Sequence, residues 1–244
     1  MSERKLKKRE ITLTKELAGR LKTEHPQFKI FANKCPSRGS RVKEKWNEVF
    51  HEQCPPLQPE MDIIIVEPPN PQILPSRPKL RAIEIKLFEK TDGRINQSFY
   101  KGIEQALALL QWGFDNVALW QLFGETVSES ELRDYGCKTW NYIHGTLQLP
   151  IDFTPIKLIG TDIEQMQFRP IQADWRNNLT PLELLKIDDP SFHITYTHPN
   201  PLVNTRLMEE RFAFKTQIGG KIVYTPGVER LLKEVATLRQ FLFE

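Results

Sequence analysis

Two apolar runs on either side of a proline-rich segment constrain the fold of this chain most. "EMDIIIVE" (60–67) and "LRAIEIKLF" (80–88) have the length and aliphatic content of buried strands. Between them, "PPNPQILPSRPK" (68–79) holds five prolines. Proline fixes φ and lacks a backbone donor, so this segment is expected to form a loop between two strands.

The surrounding sequence predicts the other elements of residues 1–165. Apolar spacing predicts helices over 12–24 and 97–113, and strands over 27–34, 116–123 and 155–160. The order helix, strand, strand, strand, helix, strand favours an α/β fold with a mixed central sheet flanked by helices. The sequence of residues 166–244 predicts a smaller C-terminal α+β extension. This extension is either a winged-helix-like module or an element for docking or dimerisation.

The charge of the chain is unevenly distributed. The net charge is +3, yet residues 1–50 hold 14 Lys and Arg against 6 Asp and Glu, leaving 20 basic and 25 acidic residues elsewhere. A basic N-terminal fifth favours a polyanionic partner, although a solvated basic segment that only aids solubility has the same composition. Arg41 and Lys45, beside Trp46, are candidate nucleic-acid contacts.

Several classes of protein lack support in the sequence. No apolar run approaches the length of a membrane span, and "MSERKLKKRE" has no apolar segment of a secretory signal behind it. Three cysteines without CxxC spacing predict reduced thiols rather than a zinc site or a disulfide framework. We therefore expect a cytoplasmic protein without a membrane partner.

The strand predicted at 80–88 contains the candidate catalytic residues. Glu84 and Lys86 are two residues apart, so their side chains share one face of the strand. Asp62 directly precedes the apolar run of the earlier strand, and it approaches Glu84 if the two strands are neighbours. Two close carboxylates need a cation, and hard oxygens favour Mg²⁺ or Mn²⁺. This set suits phosphodiester hydrolysis; the alternative is a solvated strand face or a charge that protects a sheet edge.

"PEMDIIIVE" followed by "IEIK" resembles the PD-(D/E)xK nuclease superfamily, and the element order is similar to that of its restriction-endonuclease-like core. The resemblance implies that Asp62 and Glu84 bind Mg²⁺ or Mn²⁺ together with the carbonyl of Ile85. It implies that Lys86 positions the attacking water. In this sequence Glu60 and Met61 separate the proline from Asp62, so Glu60 is an alternative to Asp62.

The resemblance also implies contributions from two helices. An acid on the first helix often joins the metal site in that superfamily, and Glu16 is the matching candidate, with Glu24 and Glu48 as alternatives. Polar residues on the helix after the lysine strand often contact nucleic acid. The candidates there are Tyr100, Lys101 and Gln105, of which the last two would share one face of the predicted helix.

The expected function is therefore metal-dependent endonucleolytic cleavage of nucleic acid. The resemblance implies that the substrate is DNA, since cleavage of RNA is less frequent in that superfamily. Two alternatives remain open. One is a non-catalytic nucleic-acid-binding or assembly protein on the same fold. The second is a nuclease subunit that is active only in a complex, and a homodimer is a further possibility because two cuts in a duplex suit a symmetric pair.

Overall fold

The computed structural model describes residues 3–34, 61–68, 79–111, 114–163, 165–172, 183–184, 200, 216–218 and 221–223. The helices are α1 (Glu3–Glu24), α2 (Ile103–Gln111) and α3 (Glu129–Trp140), which continues as a π-helical turn over Asn141–Thr146. The strands are β1 (Lys29–Lys34), β2 (Met61–Glu67), β3 (Lys79–Phe88), β4 (Lys90–Thr91), β5 (Arg94–Ile95), β6 (Asn116–Phe123), β7 (Asp152–Ile159), β8 (Gln167–Gln172), β9 (Glu183–Leu184), β10 (Thr216–Ile218) and β11 (Lys221–Val223).

The central sheet is mixed, as the sequence predicts. Its strand order is β1-β2-β3-β6-β7-β8-β9. The neighbours β3, β6 and β7 run parallel to one another, whereas β1–β2, β2–β3 and β7–β8 are antiparallel pairs. The long loop predicted between the two apolar runs therefore joins neighbouring antiparallel strands.

Helices cover both faces of the sheet, which explains the near-continuous apolar runs of β2 and β3. On one face, the leucine stripe of α1 packs on odd-numbered strand residues such as Ile63, Ile83 and Ile85. On the other face, α2 packs on Ala82 and on the inward side chains of β6. Glu84 and Lys86 follow Ala82 by alternation, so they face α2.

Helix α2 begins later than the sequence predicts. Residues 99–102 form a turn, and the first helical backbone bond runs from the Ala106 N–H to the Gly102 carbonyl. Gly102 has φ +97°, a left-handed conformation that interrupts the helix. Lys101 therefore lies outside α2, and the expectation that Lys101 and Gln105 share a helix face is wrong.

The sheet continues past residue 165, where the sequence suggests a boundary. Strand β8 pairs with β7 through Ile156–Pro170 and Leu158–Phe168. Asn200 is buried, and its side-chain amide donates to the carbonyls of Leu110 and Phe114 at 2.9 and 2.7 Å. Most of residues 173–244 lies outside the described part, including the proposed winged-helix-like or dimerisation element.

None of the helices in the described ranges combines the length and the apolar content needed to cross a membrane.

Candidate active site

The antiparallel register of β2 and β3 brings Asp62 toward Glu84. The last paired residues are Ile63 and Ile83, so Asp62 and Glu84 stand opposite when the register is continued by one residue. Glu84 is fully buried and Asp62 is nearly so. Two carboxylates predicted to act together are therefore adjacent in the interior of the molecule.

Beyond the residues that pair with β2, side-chain carboxylates accept hydrogen bonds from the backbone N–H groups of β3. The Ile85 N–H donates to Asp62 Oδ2 at 2.7 Å, and the Leu87 N–H donates to Glu10 Oε2 at 2.8 Å. The N–H and C=O of one strand residue point to the same side. The Ile85 carbonyl, a predicted metal ligand, is consequently directed to the side on which Asp62 lies.

Lys86 is held between two carboxylates. Its ammonium Nζ lies 2.5 Å from Glu84 Oε1 and 3.8 Å from Glu10 Oε1. Its aliphatic stem lies directly under the turn before α2, because a Cβ atom on Gly102 would be 2.8 Å from Lys86 Cγ. Only 7% of Lys86 is exposed, so this contact and the two carboxylates fix the position of the ammonium group.

The electrostatics of the site are strongly perturbed. Burial raises the pKa of Glu84 to about 8, with a further contribution from Asp62 that the Lys86 ammonium only partly offsets. Burial by itself lowers the pKa of Lys86. The carboxylates of Glu84, Glu10 and Asp62 outweigh that effect and raise the Lys86 pKa above its ordinary value, so the amine stays protonated at neutral pH.

The donor set fits a hard divalent cation. Neither oxygen of the buried Glu84 carboxylate completes a well-directed hydrogen bond within the described part of the chain. A buried carboxylate that faces a second one and has the Lys86 ammonium beside only one of its oxygens is a site that a further cation would stabilise. The described residues contain no group of three or more His, Cys, Asp or Glu side chains close enough to hold a metal ion. Mg²⁺ commonly uses one or two carboxylates and keeps several waters, so Asp62 and Glu84 suffice for it.

The acid of α1 that contacts Lys86 is Glu10, whereas the predicted Glu16 has another partner. Glu16 pairs with Arg20 one turn further along the same helix at 2.9 Å, and Glu24 is exposed at the helix end. The sequence signal for Glu10 is its position within the buried leucine stripe, between Leu6 and Leu13. The candidates Glu48 and Glu60 lie outside the described residues.

The predicted nucleic-acid contacts are only partly located by the structure. Tyr100 and Lys101 are exposed on the turn that covers Lys86, and Gln105 is half-buried in the first turn of α2. Arg41 and Lys45 lie outside the described residues. The turn thus presents two exposed candidate contacts and packs directly on Lys86.

Two buried polar residues that the sequence did not single out hold this turn. The Phe99 carbonyl accepts hydrogen bonds from Gln121 Nε2 and Thr139 Oγ1, each at 2.7 Å. Gln121 pairs in register with Lys86 on the neighbouring parallel strand. Its signal in the sequence is an amide in the middle of the apolar run "VALWQLF" (117–123).

Comparisons with family models, with curated proteins and with solved structures find no match for this chain.

Proposed function

We propose that this protein is a metal-dependent nuclease that hydrolyses phosphodiester bonds of nucleic acid. The observation that carries the proposal is a buried pair of facing carboxylates, Asp62 and Glu84, with a lysine ammonium 2.5 Å from one of them. Buried charges with strongly shifted pKa values concentrate at functional sites because they are costly to keep for stability alone.

Each residue has a role that follows from its surroundings. Asp62 and Glu84 would hold Mg²⁺ or Mn²⁺, with the Ile85 carbonyl beside them. When bound, such an ion supplies positive charge for the phosphate and lowers the pKa of water. Lys86 remains protonated, so it acts as a hydrogen-bond donor that orients the attacking water or the phosphate rather than as a base. Glu10 is a positioning residue, since it contacts both the Lys86 ammonium and the Leu87 N–H.

Basic side chains beside the site suit a polyanionic substrate. Arg4, Lys5 and Lys8 are exposed on the part of α1 that precedes Glu10, and Lys101 is exposed on the turn over Lys86. Such side chains bind phosphates and release counterions. The similarity to the PD-(D/E)xK superfamily favours DNA over RNA.

The second candidate is a protein of the same fold that binds nucleic acid without cleaving it. It is favoured by the ion pair between Lys86 and Glu84, which already neutralises one carboxylate. In this case the basic residues would serve binding alone, and addition of a divalent cation would leave the nucleic acid uncut.

The decisive experiment incubates the purified protein with supercoiled plasmid and with single-stranded DNA in Mg²⁺ or Mn²⁺, beside an EDTA control. Metal-dependent cutting is expected. Lys86→Ala should lower its rate about a hundredfold or more, because a donor to the reacting group is lost. Glu10→Gln should lower the rate about tenfold through misplacement of Lys86.

Glu16→Gln is the matched control, because Glu16 is an acid of the same helix that pairs with Arg20 instead. It should cut like the wild type. Cutting by Lys86→Ala at the wild-type rate would refute the proposed site. DNA retained in a gel shift without cutting in either metal would establish the binding protein in place of the nuclease.

A further inference from the structure

Tyr100 is the most exposed large apolar side chain in the described part of the chain. It is 53% exposed, against 40% for Phe31 and for Leu147. Its ring meets Phe99 edge to face at 5.3 Å, and Phe99 meets Tyr142 in the same manner at 5.9 Å. A half-exposed tyrosine thus packs on the partly buried Phe99, which packs in turn on Tyr142.

The backbone that carries this ring is rigidly anchored. Gln121 and Thr139, both fully buried, donate to the Phe99 carbonyl. The Lys101 N–H donates to the Ser98 carbonyl at 3.0 Å, which closes the turn. An aromatic ring with few rotatable bonds on a fixed backbone loses little conformational entropy when it binds a ligand.

The turn that carries this ring also packs on Lys86, the candidate catalytic lysine. Gly102 packs directly on the Lys86 stem. Tyr100 is two residues earlier in the chain, so its Cα is no more than about 7.6 Å from that of Gly102. The exposed Lys101 stands between them in sequence and adds a cation for a neighbouring phosphate.

An exposed ring beside a cation has the chemistry that binds an unpaired nucleotide. Base–aromatic stacking needs an open π-face, which a base in a duplex does not offer because it is stacked on its neighbours. Resting on the proposed nuclease function, we propose that Tyr100 and Lys101 form a stacking subsite for an unpaired base next to the scissile phosphate. The substrate class is therefore single-stranded nucleic acid, or a duplex with unpaired nucleotides.

Binding in EDTA tests this inference apart from cleavage. Fluorescence anisotropy would compare a labelled single-stranded DNA, the same RNA sequence, a fully paired blunt-ended duplex with equal phosphates, and a strand with abasic sites. The wild type should bind the intact single strands more tightly than the duplex or the abasic strand. Tyr100→Ala should weaken single-strand binding by about five- to 150-fold and leave duplex binding unchanged. Tyr100→Trp should retain it.

Phe31→Ala is the matched control, because Phe31 is an exposed aromatic residue on β1, at the edge of the sheet. It should bind as the wild type does, and thermal melting should show that both alanine variants are folded. Equal binding of single strand and duplex, or a Tyr100→Ala variant with full single-strand affinity, would overturn the inference even if metal-dependent cutting is observed. A Tyr100-dependent single-strand preference without cutting would support it while removing the nuclease assignment.

Discussion

Glu84 is a buried carboxylate whose charged form is costly to the fold. Its side chain is fully buried, and its described neighbours leave both oxygens without a well-directed hydrogen bond. Asp62 adds repulsion and Lys86 relieves only part of it. The site residue with the most direct role in the proposed chemistry is therefore also a local source of instability.

This arrangement predicts a pH dependence of stability. The folded-state pKa of Glu84 is raised from 4.5 to about 8, so native Glu84 keeps its proton where the unfolded chain loses it. Below pH 4.5, the pKa of Glu84 in the unfolded chain, the group is protonated in both states and the fold keeps its full stability. The stability then falls as pH rises, until the folded-state pKa of about 8 is passed. The free energy of unfolding should fall by about 3 kcal/mol between pH 6 and pH 9 for this reason.

Urea unfolding followed by circular dichroism at the two pH values would measure this fall. Glu84→Gln should remove it, because the amide does not titrate. Glu104→Gln, at an exposed position of α2, should retain it. An unchanged fall in Glu84→Gln would assign the pH dependence to another group.

At the scale of the elements, the contact between α2 and β3 depends on the absence of a side chain at Gly102. A Cβ atom there would lie 2.7 Å from Leu119 Cδ1 and 2.8 Å from Lys86 Cγ, and φ is +97°. Gly102→Ala should therefore destabilise the fold by about 2 kcal/mol through backbone strain and overpacking. It should also displace the Lys86 stem and reduce any cleavage activity.

Gly19→Ala is the control for this substitution. Gly19 is exposed within α1 and has nothing within 4 Å of an added Cβ. It should stabilise the protein by about 0.5–1 kcal/mol, since alanine favours a helix interior. Thermal melting of both variants checks the pair. A Gly102→Ala variant as stable as Gly19→Ala would show that the turn adapts without strain.

The sequence predicts an element and its bounds well where a single signal, such as an unbroken apolar run, determines them. The bounds of β2, β3 and β6 follow from apolar runs, and their bounds in the structure agree within about a residue. The sequence does not predict strand β8, because Pro170 within "QFRPIQ" argues against a strand while its partner β7 supplies the tertiary context. The spacing of Leu6, Glu10 and Leu13 is a signal for Glu10, but the basic residues around it resemble a solvated tail. The predicted helix therefore begins at residue 12, whereas α1 begins at Glu3.

At the scale of the whole molecule, residues beyond 165 complete the core. Met166, Phe168 and Ile171 are buried in clusters that include α1 and the strand ends. Asn200 is bonded to the end of α2 and, through its N–H, to the Asp115 carbonyl at 2.8 Å. The packing of residues 1–165 therefore depends on residues further along the chain.

A fragment of residues 1–165 should accordingly fail to fold cooperatively. Asn200→Ala in the full chain should cost about 1–3 kcal/mol, because the buried carbonyls of Leu110 and Phe114 lose a donor. Asn141→Ala, at an exposed position, is the control and should melt like the wild type. A fragment with the melting temperature of the full chain would instead show that residues 1–165 are a self-sufficient domain.

Helix α2 is pinned at both ends, by Gly102 against Lys86 and by Asn200 at the Leu110 carbonyl. Each residue of an α-helix adds about 1.5 Å of length and about 100° of rotation. One inserted or deleted residue would thus break one anchor or turn the apolar stripe away from the sheet. Substitutions at the exposed positions of α2 would leave both anchors in place, whereas a change in the number of its residues would not. The length of α2 therefore sets the spacing between Lys86 on β3 and Asn200.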